Sequence, residues 1–141
     1  MSKFLFRIIL IILLVPFCGC AIVLQDSGLS AYSNVRGIAG ISKGPQKTVF
    51  SVNDYKVTYW ARLKFNVFGA QEYFDVIWIG PNNKPFLKTE EKTAGRTTNI
   101  IILSLHIKNH LPSMMPGPWK VEIYYKDQLL DEASFVIEDV L

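Results

Sequence analysis

Two histidines and two methionines are the residues of this sequence whose types suggest a metal site. His106, His110, Met114 and Met115 follow one another as H-x3-H-x3-M-M. Imidazole nitrogen and thioether sulfur suit copper, so copper binding is the chemistry they would support. The alternative is that these residues have structural roles. His106 lies in a predicted strand, where the spacing to His110 does not place both side chains on one face as a helix would. The methionines could cap the hydrophobic core. We therefore predict no metal or other cofactor and keep copper as the alternative.

Residues that could catalyse a reaction do not form a recognisable set. Three acidic pairs occur at residues 90–91, 131–132 and 138–139. Neighbouring strand residues point to opposite faces, so these carboxylates do not form general acid–base pairs. No serine lies in a G-x-S-x-G context, and no phosphate-binding glycine pattern is present. We predict that the protein is not an enzyme.

Aromatic and basic side chains suggest a contact patch. Trp60 and Arg62 share the polar face of one predicted strand, and Tyr124 lies on the polar face of another. Exposed Trp and Tyr beside basic groups are typical of surfaces that stack on glycans or dock proteins. The alternative is that a second sheet or the N-terminal segment covers Trp60.

Alternating polarity predicts the strands that position these residues. Residues 55–68 alternate with period two, which indicates a half-buried antiparallel strand. Residues 72–79 are apolar on both faces and predict a central strand, whereas Pro85 confines the strand at 84–91 to an edge or to its first residue. Further strands are predicted at 97–108, 119–125 and 129–137, with an edge strand at 32–41. About seven strands predict an all-β sandwich with a small closed barrel as the alternative, and the predicted core aromatics are Tyr59, Phe65, Trp78, Trp119 and Phe135.

The segment 116–137, PGPWKVEIYYKDQLLDEASFVI, resembles the C-terminal hairpin of bacterial immunoglobulin-like domains, in which Pro-Gly-x-Trp opens a strand. The turn at 78–83, WIGPNN, is similar to a Trp-x-x-Pro-Asp-Gly turn of the same domains. The resemblance implies a single immunoglobulin-like antiparallel sandwich over residues 48–141. It also implies binding, bracing or spacing, and it brings no catalytic residues.

The N-terminal residues have the pattern of an export signal. Lys3 and Arg7 precede an apolar run that Pro16 ends. The stretch from Ile8 to Cys20 is only 13 residues long, whereas a membrane-spanning helix needs about 20 apolar residues. We predict a signal helix that is removed, with an uncleaved anchor as the alternative.

The end of this signal, Phe17-Cys18-Gly19-Cys20, resembles the lipobox of bacterial lipoproteins. The resemblance implies cleavage after Gly19 and acylation of Cys20, so that residues 1–19 are the signal peptide and 20–47 a lipidated cysteine with a tether. Ala21, where an Asp would favour inner-membrane retention, implies the outer membrane facing the periplasm. Several acyl chains on one residue anchor a protein stably.

The net charge and the positions of the cysteines argue against nucleic-acid binding and against chemistry at a thiol. The formal charge of +3 falls to +1 when Lys3 and Arg7 leave with the signal, and both cysteines lie in that region. Nucleic-acid binding is therefore not expected, and the mature chain has no thiol for chemistry. Residues 36–108 hold 11 basic and 5 acidic side chains, and such a basic face could approach anionic headgroups or glycans. The alternative is a surface of mixed charge that only faces solvent.

Together these observations predict a non-catalytic, lipid-anchored envelope protein that docks a partner protein at the membrane surface. The alternative is a periplasmic ligand-binding module for copper or a glycan.

Overall fold

The computed structural model describes residues 22–31, 46–108 and 115–139, and these residues form two β-sheets. Among them, no helix has the length and apolar character needed to cross a bilayer. The all-β prediction is confirmed, with eight strands where about seven were expected. The strands are β1 Ile22–Ser30, β2 Val49–Ser51, β3 Lys56–Phe65, β4 Tyr73–Ile79, β5 Pro85–Lys92, β6 Thr98–His106, β7 Gly117–Tyr125 and β8 Gln128–Glu138.

The strands are arranged as one three-stranded and one five-stranded sheet. The first has the order β1-β3-β6 and the second the order β2-β8-β7-β4-β5. Neighbouring strands are antiparallel except β2, which runs parallel to β8 with Val49 beside Val136. The expected antiparallel sandwich thus contains one short parallel pair. The predicted central position of β4 and edge position of β5, which begins at Pro85, are both confirmed.

One hydrophobic core lies between the two sheets. The alternation predicted for β3 holds, since every second residue from Val57 to Phe65 is buried in this core. Fully burying each large apolar side chain stabilises the fold by about 1.5–3 kcal/mol. All five predicted core aromatics are buried: Tyr59, Phe65, Trp78, Trp119 and Phe135.

A hydrogen bond between the sheets crosses this core. The hydroxyl of Tyr59 on β3 donates to Oδ2 of Asp131 on β8 at 2.8 Å. Tyr59 is buried, and burial is the main reason why its pKa is raised, followed by the charge of Asp131 and their hydrogen bond. The phenol therefore stays protonated and fixes the two sheets relative to each other at this point.

The N-terminal part differs from the prediction. Residues 22–30 form β1 at the edge of the three-stranded sheet, where a tether was predicted. The expected edge strand at 32–41 and the signal at 1–19 lie outside the described residues. β1 carries a β-bulge between Leu24 and Asp26, which interrupts its alternation and explains why period two did not reveal it.

Candidate functional site

The residues of the predicted contact patch lie on opposite sides of the sandwich. Trp60 is on the outer face of the three-stranded sheet, beside Gly28 of β1 and Ile102 of β6. Tyr124 is on the outer face of the five-stranded sheet, beside Asp75. The structure therefore does not bring these two aromatic rings into one surface.

Trp60 is also covered, being only 4% exposed. Neighbouring Thr58 on the same face is fully buried, and its hydroxyl is 2.9 Å from that of Ser104. Gln46 fills the space over Gly28. This burial matches the covered alternative and excludes Trp60 as an exposed contact residue, while Arg62 beside it stays half-buried.

The candidate metal ligands are not assembled in the described part of the chain. His106 ends β6 in the three-stranded sheet, whereas Met115 precedes β7 of the other sheet and is exposed. Residues 22–31, 46–108 and 115–139 contain no group of three or more His, Cys, Asp or Glu that could hold a metal ion. The ring of His106 packs edge-to-face on Tyr55, with centroids 5.2 Å apart. His110 and Met114 lie outside the described residues, as do Gly19 and Cys20.

An apolar groove lies in the outer face of the five-stranded sheet. Its volume is about 380 Å³, and its lining is mainly apolar. It lies where β2, β8, β7 and the end of β4 come together. The apolar lining includes Val49, Ile79, Pro81, Pro118, Trp119 and Val136.

Two backbone features build one wall of the groove. The turn after β4 is closed by a hydrogen bond from the Asn83 amide to the Gly80 carbonyl at 2.9 Å, and Asn83 adopts φ 58°. Asn tolerates this left-handed conformation better than most residues. Gly117 has φ +130°, and a Cβ there would lie 3.1 Å from carbons of Pro81. Glycine thus lets the start of β7 approach the turn closely.

A cluster of charged and polar side chains adjoins the groove. Lys120 Nζ lies 2.6 Å from Glu122 Oε1 and 3.3 Å from Glu132 Oε2. The hydroxyl of Tyr124 donates to Glu122 Oε2 at 2.7 Å. Burial opposes ionisation of Glu122, but the hydrogen bonds from Lys120 and Tyr124 outweigh it and lower its pKa. The same bonds raise the pKa of Lys120 and of Tyr124.

Acidic groups flank the groove along β8. The outer face of this strand reads Glu132, Ser134, Val136 and Glu138, because Phe135 and Ile137 point into the core. Val136 and Ser134 line the groove between the two carboxylates. One feature of the sequence indicates this surface: Val136 is an apolar residue on the otherwise polar face of β8, between Glu132 and Glu138. The prediction of the strands did not depend on it.

Comparison with known proteins defines the fold class. No protein-family model matches the chain, and no curated protein matches it. An immunoglobulin-like protein from Pseudomonas aeruginosa aligns over 86% of this chain and 99% of its own length, with a TM-score of 0.52 and 13% identity.

Parts of larger enzymes share the same fold. A DNA-bound alkylpurine DNA glycosylase from Pseudomonas fluorescens aligns over 84% of this chain and 31% of its own, with a TM-score of 0.52 and 13% identity. A glucose-bound β-glucosidase from Listeria innocua aligns over 86% of this chain and 17% of its own, with a TM-score of 0.55 and 13% identity. At such identities the likeness concerns the fold alone. The chain is an immunoglobulin-like β-sandwich.

Proposed function

We propose that this protein is a lipid-anchored envelope protein that docks a partner protein at the membrane surface and catalyses no reaction. The groove in the outer face of the five-stranded sheet is the observation that carries the proposal. It combines an apolar floor with acidic flanks, which is a composition suited to holding another chain.

The position of the groove fits attachment through Cys20. β1 begins at Ile22, whose partner Phe65 ends β3, and the chain then enters β4 at Tyr73. Ile22, Phe65 and Tyr73 therefore mark one end of the sandwich. The groove contains Ile79, the last residue of β4, and so lies at the opposite end. A domain acylated at Cys20 would present the groove away from the bilayer.

The polar groups of the groove favour binding over catalysis. Ser134 lies opposite Lys120 in the register of β7 and β8, so the Lys120 amine is the base to consider for its hydroxyl. However, ion pairs with Glu122 and Glu132 raise the pKa of Lys120. Its amine stays protonated and does not accept the proton of Ser134, so Ser134 gains no base.

The charges indicate the chemistry of the partner. Lys120 is ion-paired with both Glu122 and Glu132, so one lysine faces two carboxylates and the cluster keeps a net negative charge. Glu138 adds a second negative charge on the other side of the groove along β8. We expect the docked segment to insert an apolar side chain and to carry Lys or Arg beside it, because complementary charges orient and select a partner.

Site-specific cross-linking tests the docking proposal. p-Benzoylphenylalanine is placed at Val136 in the groove, and at Ile102 on the opposite face as a matched control. The two residues are 38% and 39% exposed. We expect a discrete adduct from position 136 in cells and none from position 102. The cross-linked peptide of the partner should contain an apolar residue next to Lys or Arg. Equal adducts from both positions, or none from 136, would contradict the proposal.

The anchor is tested separately. The wild type should incorporate a fatty-acid probe, and Cys20→Ser should not, whereas Cys18→Ser should label like the wild type. Wild-type labelling of the Cys20→Ser variant would exclude acylation at this residue.

A further inference from the structure

The end of the sandwich at which β1 begins brings several loops together. The register places Ile22 of β1 beside Phe65, the last residue of β3. The loop that follows β3 contacts the loop before β6, since the Gly69 amide donates to the Gly95 carbonyl at 2.9 Å. We call this surface the proximal end and define it as residues 22–24, 64–73, 92–98 and 125–129.

The proximal end exposes apolar side chains that the core does not need. Phe68 is 80% exposed, more than any other large apolar residue among those described. Val67 beside it, Val23 of β1 and Tyr73 at the start of β4 are also exposed. Single exposed apolar residues are ordinary, but several gathered at one end of a domain indicate an interaction surface.

Basic groups surround these apolar residues. Lys64 and Arg96 are exposed at this end. The ammonium of Lys92 lies 5.4 Å from the centre of the Tyr73 ring, and that of Lys126 lies 4.8 Å from the centre of the Tyr125 ring. Two acidic side chains, Glu72 and Asp127, belong to the same surface, so its net charge is positive. Aromatic residues among basic groups suit the boundary between anionic headgroups and acyl chains.

We propose that the proximal end is a membrane-contact surface, with Phe68 inserted at the headgroup boundary and its basic residues against anionic lipid. The inference rests on the proposed acylation of Cys20. Only Ala21 separates Cys20 from the first residue of β1, so the acylated residue and Ile22 are at most about 7 Å apart. The lipid chains would therefore hold this end, and not the groove, against the bilayer.

Fluorescence quenching by brominated lipids tests the contact directly. Phe68→Trp places a reporter at the proximal end, and Tyr55→Trp places one at the far end, where Tyr55 is 56% exposed. Both changes are made in the full chain, which is purified from membranes and reconstituted in phosphatidylcholine and phosphatidylglycerol vesicles. The native Trp60, Trp78 and Trp119 are all buried, so the added reporter dominates the quenchable signal. We expect several-fold stronger quenching for Phe68→Trp than for Tyr55→Trp.

Flotation and fatty-acid labelling of both variants separate the two proposals. If both are labelled and float with the vesicles, but their quenching is equal, the membrane-contact surface is refuted and the anchor stands. If Phe68→Trp is quenched without labelling, the proximal end binds lipid by itself and the anchor is refuted. If neither variant is labelled, floats or is quenched, both proposals fail.

Discussion

The hydrogen bond between Tyr59 and Asp131 yields a quantitative test of how the two sheets are joined. Tyr59→Phe removes a hydroxyl that donates to a carboxylate at 2.8 Å. Hydrogen bonds to charged groups contribute about 1.5–3 kcal/mol, and the part-exposed Asp131 can be rehydrated in part. We therefore expect a loss of about 1–2 kcal/mol in the free energy of unfolding by urea near neutral pH.

Tyr125 provides the matched control. Its hydroxyl oxygen is buried and has no hydrogen-bond partner in the described part of the chain. Tyr125→Phe removes the same atom without breaking a bond, so the free energy of unfolding should stay unchanged or rise. Equal losses for the two variants would refute the reasoning.

The pH dependence of the Tyr59 effect provides a second measurement. In the folded protein, burial and the nearby Asp131 raise the pKa of Tyr59 above its ordinary value of 10.0. The unfolded chain releases this proton at lower pH, so the stabilisation is complete below pH 10 and falls above it. The advantage of the wild type over Tyr59→Phe should shrink by about 1.4 kcal/mol between about pH 8 and pH 11. A constant difference over this range would contradict the burial of a protonated phenol.

Further changes test the groove wall and the turn that follows β2. Gly117→Ala places a Cβ 3.1 Å from carbons of Pro81 at φ +130°, and it should lower the free energy of unfolding in urea by about 1–3 kcal/mol. Gly69→Ala is the control, because a Cβ there meets open space, and it should lower this free energy by only about 1 kcal/mol. For Asp54, burial opposes ionisation, but hydrogen bonds from Lys47 and from a backbone amide outweigh it and hold its pKa below 3.8. The melting temperature of the wild type should therefore exceed that of Asp54→Asn most above pH 3.8, and this difference should shrink as the pH falls below that value. A difference that grows in acid would contradict a lowered pKa for Asp54.

Most of the sandwich follows from local patterns. Period-two alternation predicted β3 and the direction of each of its side chains, because one face of this strand must enter the core. Pro85 predicted that β5 lies at an edge or begins at this residue, since proline has no N–H to donate to a neighbouring strand, and both are found. The strands predicted at 119–125 and 129–137 leave residues 126–128 for the hairpin turn, and Lys126 and Asp127 adopt φ 47° and 65° there.

The remaining features depend on long-range packing. The polar neighbours of Trp60 suggested exposure, but alternation reports only the side on which a residue lies, and not whether another segment covers that side. β1 was missed because its bulge and its central polar residues break the period. The groove joins β2, β4, β7 and β8, which are distant in sequence, and no local pattern contains that contact.

The composition of the edge strand β5 affects how the protein behaves when many copies are close together on one surface. It ends the five-stranded sheet, begins with Pro85, and carries outward Lys88, Glu90 and Lys92. An open sheet edge offers backbone groups on which a second copy could add a strand and start a polymer. On β5, an added strand would desolvate the charged side chains of Lys88, Glu90 and Lys92. It would also find no amide proton at Pro85 with which to form a hydrogen bond. β5 therefore resists edge-to-edge growth of the sheet even where many copies lie side by side.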